Sequence, residues 1–185
     1  MRCFLALAVP DALVPPLLAV QETLSVGRAI PKDNLHLTLA FLGEQPDDAL
    51  AELDAALSGM ALCGCTLALQ GVQGFGGRRV RLLAAGVAPV AQLLALRGQT
   101  LSAVRAAGIL LPRERFRPHI TLIRFGSGLR AGDRDRFEAG VARVAGLASR
   151  PEPARELRLV GSRLTPDGAI YETLATWPLS GALTG

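Results

Sequence analysis

Apolar and polar positions along the chain change period several times, and each change predicts an element. "RCFLALAV", from Arg2, is nearly continuous in its apolar positions and predicts a buried strand. Residues 11 to about 26 predict a helix whose prolines sit near its start, where a missing amide hydrogen matters least. "HLTLAFL" from His36 predicts a second strand, and "PDDALAELDAAL" from Pro46 a helix with acidic residues in its first turn. Strands are expected near 63–70 and 80–87, flanking the glycine-rich turn "GFGGRR". A helix over about 89–107 would be closed by Gly108. "HITLIRF" from His119 predicts another strand and residues 133–144 a further helix. Strands in "ARELRLVGSRL" and "AIYETLATWPL" follow, separated by the turn "TPDG". This order predicts an α+β fold with antiparallel pairing. At 185 residues the chain suits one domain, or two small lobes sharing an interface, and should bury about 70% of its unfolded surface.

Two of the predicted strands rhyme. "HLTLAFLG" and "HITLIRFG" contain the only two histidines in the sequence, and each histidine is followed by threonine at the second position and leucine at the third. At ordinary composition these neighbours would follow a given histidine about one time in a hundred, and both would do so on the order of one time in ten thousand. Ordinary strand histidines satisfied by their neighbours are therefore a poor account of the pair. The phrases lie 83 residues apart, each followed by a helix and then strands, which outlines a duplicated unit with two lobes about a pseudo-twofold axis.

Alternation along a strand puts His36 with Thr38 on one face, and His119 with Thr121, while Leu37, Leu39, Ile120 and Leu122 face the other way. One imidazole and one hydroxyl from each lobe would then converge on a central cleft. Such a set suits phosphodiester cleavage, or the opening of a cyclic phosphate, without metal. One imidazole is held neutral as base and its partner cationic as acid, while the hydroxyls donate to phosphate oxygens. Zinc ligation is disfavoured because neither His-x-His nor His-x-x-x-His occurs.

Composition narrows the partners only slightly. Half of the residues are hydrophobic, net charge is +4 and pI is near 9.6, with Lys32 the sole lysine. The arginine-rich balance fits an anionic partner or simply the coding bias of the source genome. Three cysteines, Cys3, Cys63 and Cys65, make a poor disulfide framework and fit a reduced compartment, with buried strand positions expected. No apolar run predicts a bilayer span, and the interrupted start does not read as a signal peptide, so a cytoplasmic protein without membrane contact is expected. The absence of any Gly-Lys pair removes a phosphate-binding P-loop, and the absence of GxSxG removes the usual serine hydrolase.

The paired "HLTL" and "HITL" resemble the two HxTx signatures of the two-histidine (2H) phosphoesterase superfamily. Their surroundings, "RCFLALAVPD", "PKDNLHLTLAFLGE", "FRPHITLIRF" and "LVGSRLTPDGAIYETLATWPL", resemble its bacterial and archaeal RNA 2',3'-cyclic phosphodiesterase branch, first described as 2'-5' RNA ligases. The resemblance implies one bilobal α+β domain over residues 1–185 with one motif per lobe, 36–39 and 119–122, around a water-filled cleft. It further implies hydrolysis of RNA or nucleoside 2',3'-cyclic phosphate ends to a 2'-phosphomonoester without cofactor, metal or ATP; a monomer is the default expectation. His36 would protonate the departing 3' oxygen, His119 would activate water, and Thr38 and Thr121 would hold the phosphate. The reverse step, 2'-5' joining to a 5'-hydroxyl, is open to the same groups.

Phe41 and Arg124 both stand five residues after a histidine. Phe41 would stack on a base or pack in the core, and Arg124 would meet a phosphate. Strict alternation puts both on the face opposite the catalytic groups, so they qualify only if the strands end or twist first. The loop "PRERFRP" is either an RNA-attracting or a solvated stretch. Leu82 and Leu83 stand where many relatives have an aromatic residue, which leaves base preference open. Alternatives are a 2H enzyme acting on 2'-5' oligonucleotides or ADP-ribose cyclic phosphate, and a non-catalytic module that binds RNA ends.

Overall fold

The computed structural model describes residues 1–77, 79–165 and 168–180. Its elements run β1 (Arg2–Ala8), α1 (Val14–Thr23), β2 (Arg28–Ala29), β3 (His36–Glu44), α2 (Asp47–Ser58), β4 (Thr66–Leu67), β5 (Leu69–Phe75), β6 (Leu82–Val87), α3 (Ala91–Ala106), β7 (His119–Arg124), α4 (Arg134–Val144), β8 (Glu152–Pro153), β9 (Glu156–Thr165) and β10 (Gly168–Pro178). The expected α+β fold with antiparallel pairing is present. Residues 11–26 are shorter in helix than the periodicity predicts: a 3-10 turn at Asp11–Leu13 leads into α1, which stops at Thr23. The chain must reverse at Gly27, where φ is +78° and a Cβ would lie 2.6 Å from the Phe125 ring, so only glycine fits the turn into β2. Cys63 and Cys65 precede β4 rather than lying within a strand. Burial of Cys65 pushes its thiol up to about 12, which keeps it protonated and unreactive. The centre of the "TPDG" turn, Pro166 and Asp167, lies outside the described residues.

One sheet carries most of the molecule, in the order β10-β9-β1-β3-β7-β6-β5, with β2 pairing β7 and a separate β4-β8 pair. The two histidine strands are thus neighbours in one sheet. On one side β9-β1-β3 carries α2 and α3, and on the other β7-β6-β5 carries α1 and α4. The chain order β1-α1-β3-α2-β5 repeats as β6-α3-β7-α4-β9, and the strand order β9-β1-β3 is matched by β5-β6-β7, each read inward to the junction. Each repeat lends its first helix and its last strand to the opposite lobe, so the lobes interleave and are not consecutive halves of the sequence. Leucine supplies most of the core: Leu37 of β3 and Ile120 of β7 are fully buried, along with Leu53, Leu57, Leu93 and Leu96 from the helices. No helix among the described residues is long and apolar enough to cross a membrane.

Candidate active site

The junction between the lobes brings the two rhyming phrases together. β3 and β7 share the pair Leu37↔Ile120. In antiparallel register that pair sets His36 opposite Thr121 and Thr38 opposite His119, all four on the face opposite the buried Leu37 and Ile120. His36 and His119 are then diagonal neighbours, about 7–8 Å apart at Cα. The pseudo-twofold axis passes through the Leu37–Ile120 pair. Both six-residue stretches, His36–Phe41 and His119–Arg124, show the same sequence of burial: half-buried, buried, half-buried, buried, buried, exposed.

That sequence breaks strict alternation, and the pairing of neighbouring strands explains how. Ala6 pairs Thr38 but Leu5 pairs Ala40, so Leu39 is an extra residue, a β-bulge. Ala84 pairs Thr121 but Leu83 pairs Ile123, so Leu122 is its counterpart. Each bulge shifts the phase by one residue. Phe41 and Arg124 therefore turn onto the same face as the histidines, contrary to the alternation expected from sequence. Phe41 is 61% exposed, which removes the core-packing alternative for it.

The two imidazoles are oriented alike. Nδ1 of His36 lies 2.7 Å from the Asn34 carbonyl, and Nδ1 of His119 lies 2.7 Å from the Arg117 carbonyl. A carbonyl only accepts, so Nδ1 donates in both rings and Nε2 is left to exchange a proton with a ligand. Burial lowers the pKa of His36, partly opposed by the Asn34 hydrogen bond, and the charges of Arg124 and His119 lower it further. His36 is thus close enough to feel the charge of His119.

Aromatic rings flank both histidines. Phe4 stacks on His36 at 4.8 Å and Tyr171 meets the same ring edge-on at 5.4 Å, while Phe75 stacks on His119 at 4.6 Å. Phe4 comes from the strand adjoining β3, but Phe75 comes from β5, one strand beyond the neighbour of β7. The position matching Phe4 on that neighbour is Leu82, which pairs with Arg124, while Leu83 is buried in the core. Sequence reasoning missed Phe4, Phe75 and Tyr171. Only their long-range ring contacts with the two histidines mark them out, and no local pattern does.

Two cavities of about 790 and 860 Å³ meet at Phe41 and Gly43. The first is lined by Phe4, Asn34, Arg28, Arg124 and Tyr171, the second by Thr38, Phe75, Arg97, Phe116 and His119. Arg28 pairs with Arg124 across β2 and β7, so two guanidiniums share one wall. Arg113, Arg115 and Arg117 of the "PRERFRP" loop border the second cavity, with Glu114 the acid among them. An anion bound over the four motif residues would meet two imidazoles, two hydroxyls and a surplus of arginine.

The sequence also matches the family model of the 2'-5' RNA ligase superfamily over residues 9–163. The chain belongs to that superfamily. An RNA 2',3'-cyclic phosphodiesterase from Archaeoglobus fulgidus is 30% identical over 181 residues, 94% of this chain and 98% of its own length. One from Geobacillus stearothermophilus is 34% identical over 161 residues, covering 84% of this chain, which spans 49% of that longer relative. The crystal structure of E. coli LigT complexed with 3'-AMP superimposes with a TM-score of 0.76 at 26% identity, covering 97% of this chain and 98% of that one. The superfamily fold, with its paired antiparallel lobes and helices about a central cleft, is thus the fold found here.

Proposed function

We propose that this member of the superfamily opens 2',3'-cyclic phosphate ends of RNA or nucleosides to 2'-phosphomonoesters, using two histidines and no metal. The observation that carries the proposal is the Leu37↔Ile120 register, which gathers two imidazoles and two hydroxyls on one face of the sheet. The names and folds of the relatives support it independently.

In this mechanism the cyclic phosphate lies over the pseudo-twofold axis, and Thr38 and Thr121 donate to its non-bridging oxygens, whose charge grows in the transition state. His119, neutral at Nε2, takes a proton from water as it attacks phosphorus. His36, protonated at Nε2, gives its proton to the departing 3' oxygen. The environment that lowers the His36 pKa makes its imidazolium the stronger acid, and the arriving phosphate anion stabilises the proton that it must carry. Arg124 adds charge on the phosphate, and Phe41 offers a face for a base. A 5'-hydroxyl in place of water would give 2'-5' joining by the same steps.

Residues 1–185 act in this proposal as one bilobal unit, because neither lobe can be assembled from consecutive sequence. A cytoplasmic monomer is the setting it assumes. The test is incubation with 2',3'-cyclic AMP, with and without EDTA, followed by identification of the product. A 2'-phosphate formed equally with chelator supports the mechanism. A 3'-phosphate would move the departing oxygen to the 2' position, loss with EDTA would require a metal, and tight binding without turnover would favour an RNA-end binding module.

A further inference from the structure

Among the described residues the lobes share one strand pair at the catalytic junction, Leu37↔Ile120, beyond which β2 takes over the edge of β7. One ladder pair is a weak hinge for two groups that must act on one phosphorus atom. Two side chains reinforce it in matching ways. Gln21, on α1, donates both hydrogens of its amide nitrogen, one to the Leu122 carbonyl and one to the Ile30 carbonyl, each at 2.8 Å. Both partners only accept, so the orientation of the amide is unambiguous. Arg97, on α3, donates from Nε to the Leu39 carbonyl at 3.1 Å and lays its guanidinium 4.4 Å over the Phe116 ring.

The partners are related by the same pseudo-twofold as the motifs. Leu39 and Leu122 are the two bulge residues. Ile30 lies on the approach to Asn34, whose carbonyl orients His36, and Phe116 adjoins Arg117, whose carbonyl orients His119. Each brace therefore grips the bulge of one motif and the approach to the other. We propose that Gln21 and Arg97 are positioning residues that fix the two imidazoles relative to one another, by cross-tying the histidine strands through their bulges and approach segments.

The rate arm of the test rests on the proposed phosphodiesterase activity, and the titration arm does not. Gln21→Met and Arg97→Met keep the aliphatic stems and remove the donors. In each, kcat for opening 2',3'-cyclic AMP should fall about 100-fold, the scale of an ångström-sized misplacement, with little change in KM. Nuclear magnetic resonance titration of the imidazoles gives the second readout. In the wild type, His119→Gln should raise the His36 midpoint, because the charge of His119 lowers it. In the uncharged Gln21→Met background that midpoint should already lie higher, and His119→Gln should move it less. Should Arg97→Met fail to fold, Arg97→Lys keeps stem and charge but loses the planar group, and should show the same drop in kcat. Wild-type kcat and unchanged His36 midpoints in variants that differ only in melting temperature would overturn the inference. A wild type inactive on every cyclic phosphate would instead sink the function, leaving the titrations to judge the braces.

Discussion

The strand of His36 and the strand of His119 share a backbone and differ in dress. Burial sequence, bulge, Nδ1 anchor and brace recur on both sides of the axis, whereas the side chain that each bulge turns into the cleft is Phe41 on one and Arg124 on the other. The rings covering the two imidazoles also differ: Phe4 and Tyr171 against His36, Phe75 alone against His119 among the described residues. Symmetric backbone places four reacting groups around one point. Asymmetric side chains then make the two ends of that point unequal, which a reaction with a distinct attacking and departing oxygen requires.

The strongest way to break the symmetric half of this comparison is to remove one histidine at a time. His36→Ala and His119→Ala should each lower kcat/KM on 2',3'-cyclic AMP by about 10²- to 10⁴-fold, the usual worth of a positioned acid or base, with circular dichroism unchanged. A double variant should be little worse than either single one, because the two act as a unit. Full activity in either single variant would remove the pairing on which the mechanism stands. Thr38→Val and Thr121→Val probe the same symmetry more gently, and equal losses of kcat would mark equal shares in holding the phosphate.

Much of this frame was legible in the sequence, because period-2 and period-3.6 patterns report burial directly and the repeated histidine phrase reports a shared local backbone. The bulges were not. Leu39 and Leu122 look like ordinary inward leucines, and only the pairing with β1 and β6 shows that each is an extra residue. The same phase shift explains why strict alternation misplaced Phe41 and Arg124. The interleaving of lobes was hidden for a related reason: α1 packs on β7 and α3 on β3, contacts far apart in sequence that leave no local trace. Helix α1 ended early because Gly27 must turn beneath Phe125, a tertiary demand that no helical periodicity records.

The asymmetric half is tested at the fifth positions. If Phe41 supplies a stacking face, Phe41→Ala should raise KM by about 5- to 150-fold, equivalent to about 1–3 kcal/mol for base–aromatic stacking, and leave kcat nearly intact. An equal loss in kcat would mean instead that the ring shapes the catalytic groups. Arg124→Met should weaken phosphate binding and also change the pH profile. Arg124 is among the charges that lower the His36 pKa, so its removal lets that pKa rise. The alkaline flank of kcat/KM, where the donor His36 loses its proton, should begin below pH 6.5 in the wild type and shift upward in the variant. A flank that does not move would separate Arg124 from His36.

The smallest expected effect concerns stability and isolates the desolvation of His36 from its chemistry. The folded protein holds this imidazole at a lower pKa than the unfolded chain, whose value is about 6.5. Above that pH both states leave the ring neutral and His36 adds no slope. As pH falls below it, the unfolded chain takes up a proton that the folded chain refuses, so stability declines until the folded pKa is passed and then levels. Urea midpoints measured from pH 7.5 down to 5 should therefore fall in the wild type. His36→Gln, which keeps a polar group at the site without a titrating ring, should flatten the part of that fall due to His36. If both proteins lose stability in parallel, another group carries the slope, and burial of His36 does not hold the ring neutral.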